Sequence, residues 1–265
     1  MSRVIVITSG KGGVGKSTIC AYLGMELAKS NLRVCLVDMD IGLNNLDVVL
    51  GIENRTLYNM IDVIDNRCRL RQALVEHDVY PLLFLLSSGT ALRNVSIRLE
   101  AIQRIIDELK SQFDFVLIDC PAGIDIGFNR AVSCAEEALV VTTPHLSALR
   151  DADKVVTILN SYNLSSIRFV VNRSRGDLIK DKLMLDSYEI SRALNIEFGG
   201  VVPEDDSITL ASNFNKVKID YRYPCFRAIS VLANNLRLNE KRLFDCTFRY
   251  KGIVGSLRKL LKRKI

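Results

Sequence analysis

Gly10-Lys11-Gly12-Gly13-Val14-Gly15-Lys16-Ser17-Thr18 is the stretch that decides the fold. It follows the apolar run Val4–Thr8 and leads into the amphipathic stretch Ser17–Ser30, so it joins a strand to a helix. The spacing fits G-x-x-x-x-G-K-[ST], a phosphate-binding loop. Its glycines let the backbone curl until successive N–H groups point inward at one phosphate, with the helix N-terminus behind them. Lys16 is placed to reach the β- and γ-phosphates, and the Ser17 hydroxyl to ligate Mg2+. Thr18 is a donor for the α-phosphate, and Gly10, Lys11, Gly12, Gly13, Val14 and Gly15 complete the cradle. The expectation is a nucleotide site.

Working outward, short apolar runs recur at Arg33–Val37, Leu82–Leu86, Phe115–Asp119, Ala138–Thr142, Ile167–Val171 and Gly200–Val202. Their length and β-branched content suit strands buried on both faces of a parallel sheet. Amphipathic stretches of helix length lie between them, at Val95–Ser111, Ala148–Ser161, Ser187–Leu194 and Pro224–Leu236. The alternation predicts one doubly wound α/β domain over residues 1–246, mostly parallel, with helices on both faces and ligands at the carboxyl strand ends. No Gly-, Ser- or Pro-rich linker divides it.

Composition narrows the classes further. With 48% hydrophobic and 25% charged residues among 265, the chain is neither disordered nor fibrous. No apolar run approaches the ~18 residues of a membrane span, and Lys11 and Lys16 interrupt any signal-peptide core behind Val4–Ile7. The net charge of +6 is uneven: seven basic residues and no acid follow Thr247, which leaves the body at about −1. A body surface adapted broadly to nucleic acid is therefore disfavoured. The seven cysteines (Cys20, Cys35, Cys68, Cys120, Cys134, Cys225 and Cys246) show no C-x-x-C spacing, which predicts reduced thiols in a cytosolic protein. His77 and His145 have no telling partner and are expected to be structural.

Two carboxylate groups accompany the loop. The second apolar run ends in Val37-Asp38-Met39-Asp40, and Asp38 and Asp40, two apart, are expected to point together into the crevice. Beside a triphosphate they matter mainly with Mg2+ bound. Asp47 lies further along the same loop. Phe115-Val116-Leu117-Ile118-Asp119 is four apolar residues followed by Asp, a Walker B pattern in which Asp119 would hold Mg2+ through water.

The second lysine, Lys11 in K-G-G-x-G-K-[ST], makes the chain resemble the deviant Walker A (ParA/MinD) family of ATPases. In that family the extra lysine crosses a nucleotide-sandwich homodimer to the partner's phosphates, like an arginine finger. The resemblance implies Lys11, Lys16 and Asp40 as catalytic residues, with Asp40 orienting the attacking water. It implies Ser17, Asp38 and Asp119 at the metal, and Gly123, in Asp119-Cys120-Pro121-Ala122-Gly123-Ile124, as a backbone donor to the γ-phosphate. Val170-Val171-Asn172-Arg173 and Val201-Val202-Pro203-Glu204-Asp205 are similar to the family's adenine segments, with Asn172 on the base and Pro203, Glu204 and Asp205 flanking it. No N-K-x-D or T-K-x-D occurs there, which favours adenine over guanine. ATP or ADP with Mg2+ is the implied ligand.

The end of the chain reads Gly252-Ile253-Val254-Gly255-Ser256-Leu257-Arg258-Lys259-Leu260-Leu261-Lys262-Arg263-Lys264-Ile265. On a helix Ile253, Val254, Leu257, Leu260, Leu261 and Ile265 share one face, with Arg258, Lys259 and Lys262 outside it. Residues 247–265 are therefore expected to be a basic amphipathic tail for an anionic membrane surface, marginal in water and helical against lipid. Phe248 and Tyr250 are candidates for the aromatic at that interface.

This tail is similar to that of the MinD branch, and the Ser147–Asp153 stretch resembles it too. The branch implies an ATP-driven membrane switch that positions the division site, with a MinC-like division inhibitor and a MinE-like activator as partners. The implied location is cytoplasmic, with reversible attachment to the inner face of the membrane; an organelle-encoded equivalent would look the same. A ParA-like DNA- or cargo-positioning ATPase, a flagellar-number ATPase and a non-catalytic membrane module are the alternatives. Body charge weighs against the first, a strand already starting at Arg3 against the second, and the retained Lys11, Lys16, Asp40 and Asp119 against the third.

Overall fold

The computed structural model describes residues 2–41, 45–89, 97–208 and 218–252. Eight strands form one sheet: β1 (Arg3–Thr8), β2 (Val34–Asp38), β3 (Leu74–Glu76), β4 (Leu83–Leu86), β5 (Phe115–Asp119), β6 (Glu137–Thr142), β7 (Ser166–Ser174) and β8 (Glu197–Pro203). Their order is β3-β4-β2-β5-β1-β6-β7-β8, and every pairing is parallel except β3 with β4. From β1 the chain winds to one side through β2 and β4, and later to the other through β6, β7 and β8. The phosphate loop thus follows a central strand at the point where the winding reverses, where open α/β sheets bind ligands.

Side-chain alternation builds the three layers. Val4 and Val6 of β1 face one core and Ile5 and Ile7 the other, and Val116 and Ile118 of β5 oppose Phe115 and Leu117 in the same way. The first core is roofed by α5 (Leu99–Lys110), α6 (Ile126–Ser133), α7 (Leu146–Leu159) and α9 (Ser187–Leu194). The second lies under α1 (Lys16–Lys29) and the final described helix, α10 (Pro224–Leu238). α1 is covered by both the sheet and α10, with the Tyr22 and Phe226 rings 5.0 Å apart. An Ile19–Ala28 stretch buried almost throughout is the consequence.

Each of the seven apolar runs is a strand. The edge strand β3 was not among them: it is three residues long, antiparallel, and follows directly on α4 (Leu70–Ala73), too short to show a period. The Walker B strand is consequently the fifth in sequence, not the fourth, and Ala138–Thr142 belongs to the sixth. No helical period marks α2 (Leu46–Leu50), α3 (Met60–Ile64), α6 or α8 (Gly176–Lys180), all of eight residues or fewer. All seven cysteines are free thiols. His77 is buried, accepts at Nδ1 from the Val79 N–H (3.1 Å), and burial lowers its pKa. His145, by contrast, is exposed at the start of α7. Among the described residues no helix is long and apolar enough to cross a membrane.

Chain beyond Cys246 stays on the body for a further turn. Phe248–Tyr250 is a 3-10 helix, Lys180 Nζ donates to the Tyr250 carbonyl (2.6 Å), and Lys251 pairs with Asp245 (2.6 Å). The tail residues Ile253, Val254, Leu257, Arg258, Lys259, Leu260, Leu261 and Lys262 lie outside the described residues.

Candidate nucleotide site

The loop from Gly10 to Gly15 leaves β1 at the carboxyl edge of the sheet. Gly13 (φ +76°) and Gly15 (φ +95°) take left-handed backbone, which only glycine adopts without strain, and this curls the loop into α1. Gly10 is required for a different reason. A Cβ there would come within 2.1 Å of the Asp151 carbonyl oxygen, so α7 presses directly on the start of the loop. The resemblance noted at Ser147–Asp153 therefore falls on residues that brace the phosphate loop.

Asn172, at the end of β7, is a second brace. Its Nδ2 donates to the Val14 carbonyl (2.8 Å) while its Oδ1 accepts from the Arg173 N–H (2.9 Å). A Cβ on Gly15 would meet that same Nδ2 at 2.4 Å. Its carboxamide thereby ties β7 to the phosphate loop. Arg173 beside it holds φ +56° at a bulge in the β7–β8 pairing.

Within the loop the two lysines part company. Lys16 is buried (9% exposed), as a lysine facing a phosphate cradle from the first helical turn would be. Lys11 is exposed and forms no ion pair among the described residues; only its carbonyl is engaged, by Ser9 Oγ (2.8 Å).

Two buried carboxylates sit side by side beneath the loop, Asp38 and Asp119, register partners at the ends of β2 and β5. Burial raises Asp119 to about 7 against a hydrogen bond from Ser17 that lowers it; Asp38 and Asp40 raise it further and Lys16 lowers it. Its Oδ1 has no hydrogen-bond partner although fully buried. An unpartnered buried carboxylate oxygen beside a serine hydroxyl suits a hard cation or its water, so the residues present fit Mg2+.

Asp38, beside Asp119 at the strand ends, is held by backbone N–H groups. Its Oδ1 accepts from the Asp40 N–H (2.9 Å) and its Oδ2 from the N–H groups of Asn45 (3.1 Å) and Leu46 (3.2 Å), so it ties the end of β2 to Asp40 and to the start of α2. Burial still lifts it to about 6. β2 ends at Asp38, and Asp40 already belongs to the loop. Asp40 itself is half-buried; burial raises its pKa, Lys16 lowers it and Asp125 raises it. Asp125 escaped the sequence analysis. It caps α6 through Oδ1 (Gly127 N–H 3.0 Å, Phe128 N–H 3.2 Å), and its D-x-x-x start was the available signal.

Gly123 has φ +97° and open space where a Cβ would stand, as a backbone that must approach a ligand requires. Ser17 and Thr18 are half-buried on the first turn of α1. On the far side, Pro203, Glu204 and Asp205 line a cavity of ≈ 340 Å3, within the range of small-molecule sites. The Glu204 N–H donates to the Ser174 carbonyl (3.1 Å), and Asp205 Oδ1 accepts from the Ser207 N–H (3.1 Å), so the turn is hydrogen-bonded to β7 and within itself.

The strand–loop–helix unit, the buried acid pair and the switch-point location together define a P-loop nucleotide-binding protein. Residues 2–170 match the AAA_31 family, an AAA domain. The septum site-determining protein MinD of Bacillus subtilis (strain 168) is 46% identical over 233 residues, 84% of this chain and 87% of that protein. The chain superposes on a chain of the MinC:MinD cell division protein complex of Aquifex aeolicus with TM-score 0.84 at 38% identity, covering 91% of this chain and 97% of that one. Septum site-determining MinD of Pyrococcus horikoshii OT3, solved in complex with Mg-ADP, matches at TM-score 0.79 and 28% identity over 89% of this chain and 96% of that one. The chain belongs to the MinD family of septum site-determining ATPases.

Proposed function

We propose that this protein is a Mg2+-dependent ATPase whose ATP-bound form is a homodimer, and that dimerisation switches it onto membranes. The observation that carries this reading is the contrast between the two loop lysines. Lys16 is buried in its own cradle, whereas Lys11 stands exposed at the rim. A lysine held out of its own site suits one that completes a neighbour's.

The roles follow from placement. Lys16 and the loop N–H groups bind the β- and γ-phosphates, and Gly123 offers a further N–H. Ser17, Asp38 and Asp119 hold Mg2+, directly or through its water, and Asp38 also fixes the Asp40 backbone. Mg2+ when bound neutralises phosphate charge as it develops. Asp40, half-buried and close enough to feel Lys16, orients the attacking water. Pro203, Glu204 and Asp205 flank the adenine, with Asn172 coupling that end of the site to the loop. Hydrolysis to ADP and phosphate then removes the charge that Lys11 of each subunit would hold across the dimer.

Two basic tails presented by one dimer bind far more firmly than one, because the second attaches at high effective concentration. By likeness to the Aquifex complex a MinC-like inhibitor is the expected cargo, and by family resemblance a MinE-like protein is the expected activator. Sedimentation velocity of the Asp40→Ala variant tests the first step. ATP with Mg2+ should shift it from monomer to dimer, ADP should not, and Lys11→Ala added to it should prevent the shift. A species that sediments alike in ATP, ADP and no nucleotide would refute the dimer switch.

A further inference from the structure

One wall of the cavity beside Pro203–Asp205 is made by the last described stretch of chain. Phe244, Cys246, Phe248, Arg249 and Tyr250 all line it. This stretch is fixed from several directions. The Cys246 carbonyl lies so close to Gly176, the first residue of α8, that a Cβ there would stand 1.9 Å from the oxygen. Asp245 Oδ1 accepts from the N–H (2.8 Å) and Oγ1 (2.6 Å) of Thr247, and Lys180 clamps the Tyr250 carbonyl. The adjoining wall is fixed too: Asp177, fully buried, grips the Arg175 guanidinium through both oxygens (3.0 and 2.6 Å).

Between these walls the cavity keeps aromatic surface in contact with solvent. Phe248 is 40% exposed and Tyr223 42%. The Phe248 ring meets Phe244 edge-on at 6.0 Å and has Arg227 5.4 Å from its centroid. Aromatic rings and guanidinium groups around a cavity of this size, opening beside the base turn, present surface that a planar heteroaromatic ring covers well.

We propose that residues 244–250 are the outer wall of the base site and that Phe248 contacts the nucleotide base. The inference rests on the nucleotide-binding function proposed above. It makes the segment from which the basic tail departs a part of the nucleotide site. Base occupancy then steadies the root of the tail, and by linkage whatever holds the tail root tightens nucleotide.

Hydrogen exchange of the full-length protein, followed by mass spectrometry with and without Mg-ADP, tests this without a mutation. Mg-ADP should slow exchange in the phosphate loop and also in peptides spanning 244–250. In parallel, Phe248→Ala should weaken Mg-ADP about tenfold, Phe248→Tyr should restore it, and removal of residues 253–265 should leave it unchanged. Protection of the loop alone, with Phe248→Ala binding Mg-ADP like the parent, would overturn the proposal and leave the ATPase reading intact. Protection of neither segment would sink both.

Discussion

Replacing Lys11 by Ala is expected to lower kcat for ATP hydrolysis about 10³-fold, the lower end of what a charge supplied in trans contributes to phosphoryl transfer. The same change should leave Mg-ADP affinity within roughly threefold, since an exposed rim lysine contributes little to binding in its own subunit. Lys16→Ala should instead abolish both, because Lys16 is buried in the cradle and its loss removes binding charge from the ground state as well as the transition state. Phosphate release and Mg-ADP titration on the two variants separate these roles. A Lys11→Ala protein that turns over normally, or one that fails to bind ADP, would show that the lysine acts only within its own subunit or not at all.

The second large effect concerns pH. Without metal, burial holds Asp119 at about 7 and Asp38 at about 6, both above the ordinary carboxylate value of 3.8. The folded protein therefore keeps protons that the unfolded chain has released. Their contribution to stability is complete below pH 3.8 and is lost as pH rises, through about 6 for Asp38 and about 7 for Asp119. Asp119→Asn removes the larger part and should stabilise the nucleotide-free protein at pH 8 by on the order of a few kcal/mol, while eliminating hydrolysis. Urea denaturation in EDTA at pH 5 and pH 8 reads the effect: the parent should lose midpoint between the two, and the variant much less. A variant less stable than the parent at pH 8 would mean that the Asp119 carboxylate is satisfied in the folded state.

The sheet was legible because its strands are buried on both faces, and such strands announce themselves as unbroken apolar runs. The phosphate loop was legible because glycine spacing and a strand–helix context are local. What escaped was either too short to carry a period, as β3 and α2 are, or set by chain neighbours far apart in sequence. Nothing local says that Gly10 is needed because α7 passes beside it, or that Asn172 spends its amide on Val14. Asp38 is the sharper case. Its residue type and spacing gave no hint that the backbone N–H groups of Asp40, Asn45 and Leu46 bond both of its oxygens. A carboxylate in a motif can hold the surrounding backbone as well as face a metal, and only the tertiary hydrogen bonds reveal the first task. The ordered root of the tail was hidden for the same reason, since Cys246 docks on Gly176 across the length of three elements.

Co-sedimentation with anionic vesicles, in ATP and in ADP, tests the switch most directly, using the full chain and one ending at Gly252 so that the docked Phe248–Tyr250 turn is retained. The account predicts that the full chain pellets with vesicles in ATP, stays in the supernatant in ADP, and loses vesicle binding when residues 253–265 are removed. Binding that ignores the nucleotide, or that survives removal of the tail, would contradict it.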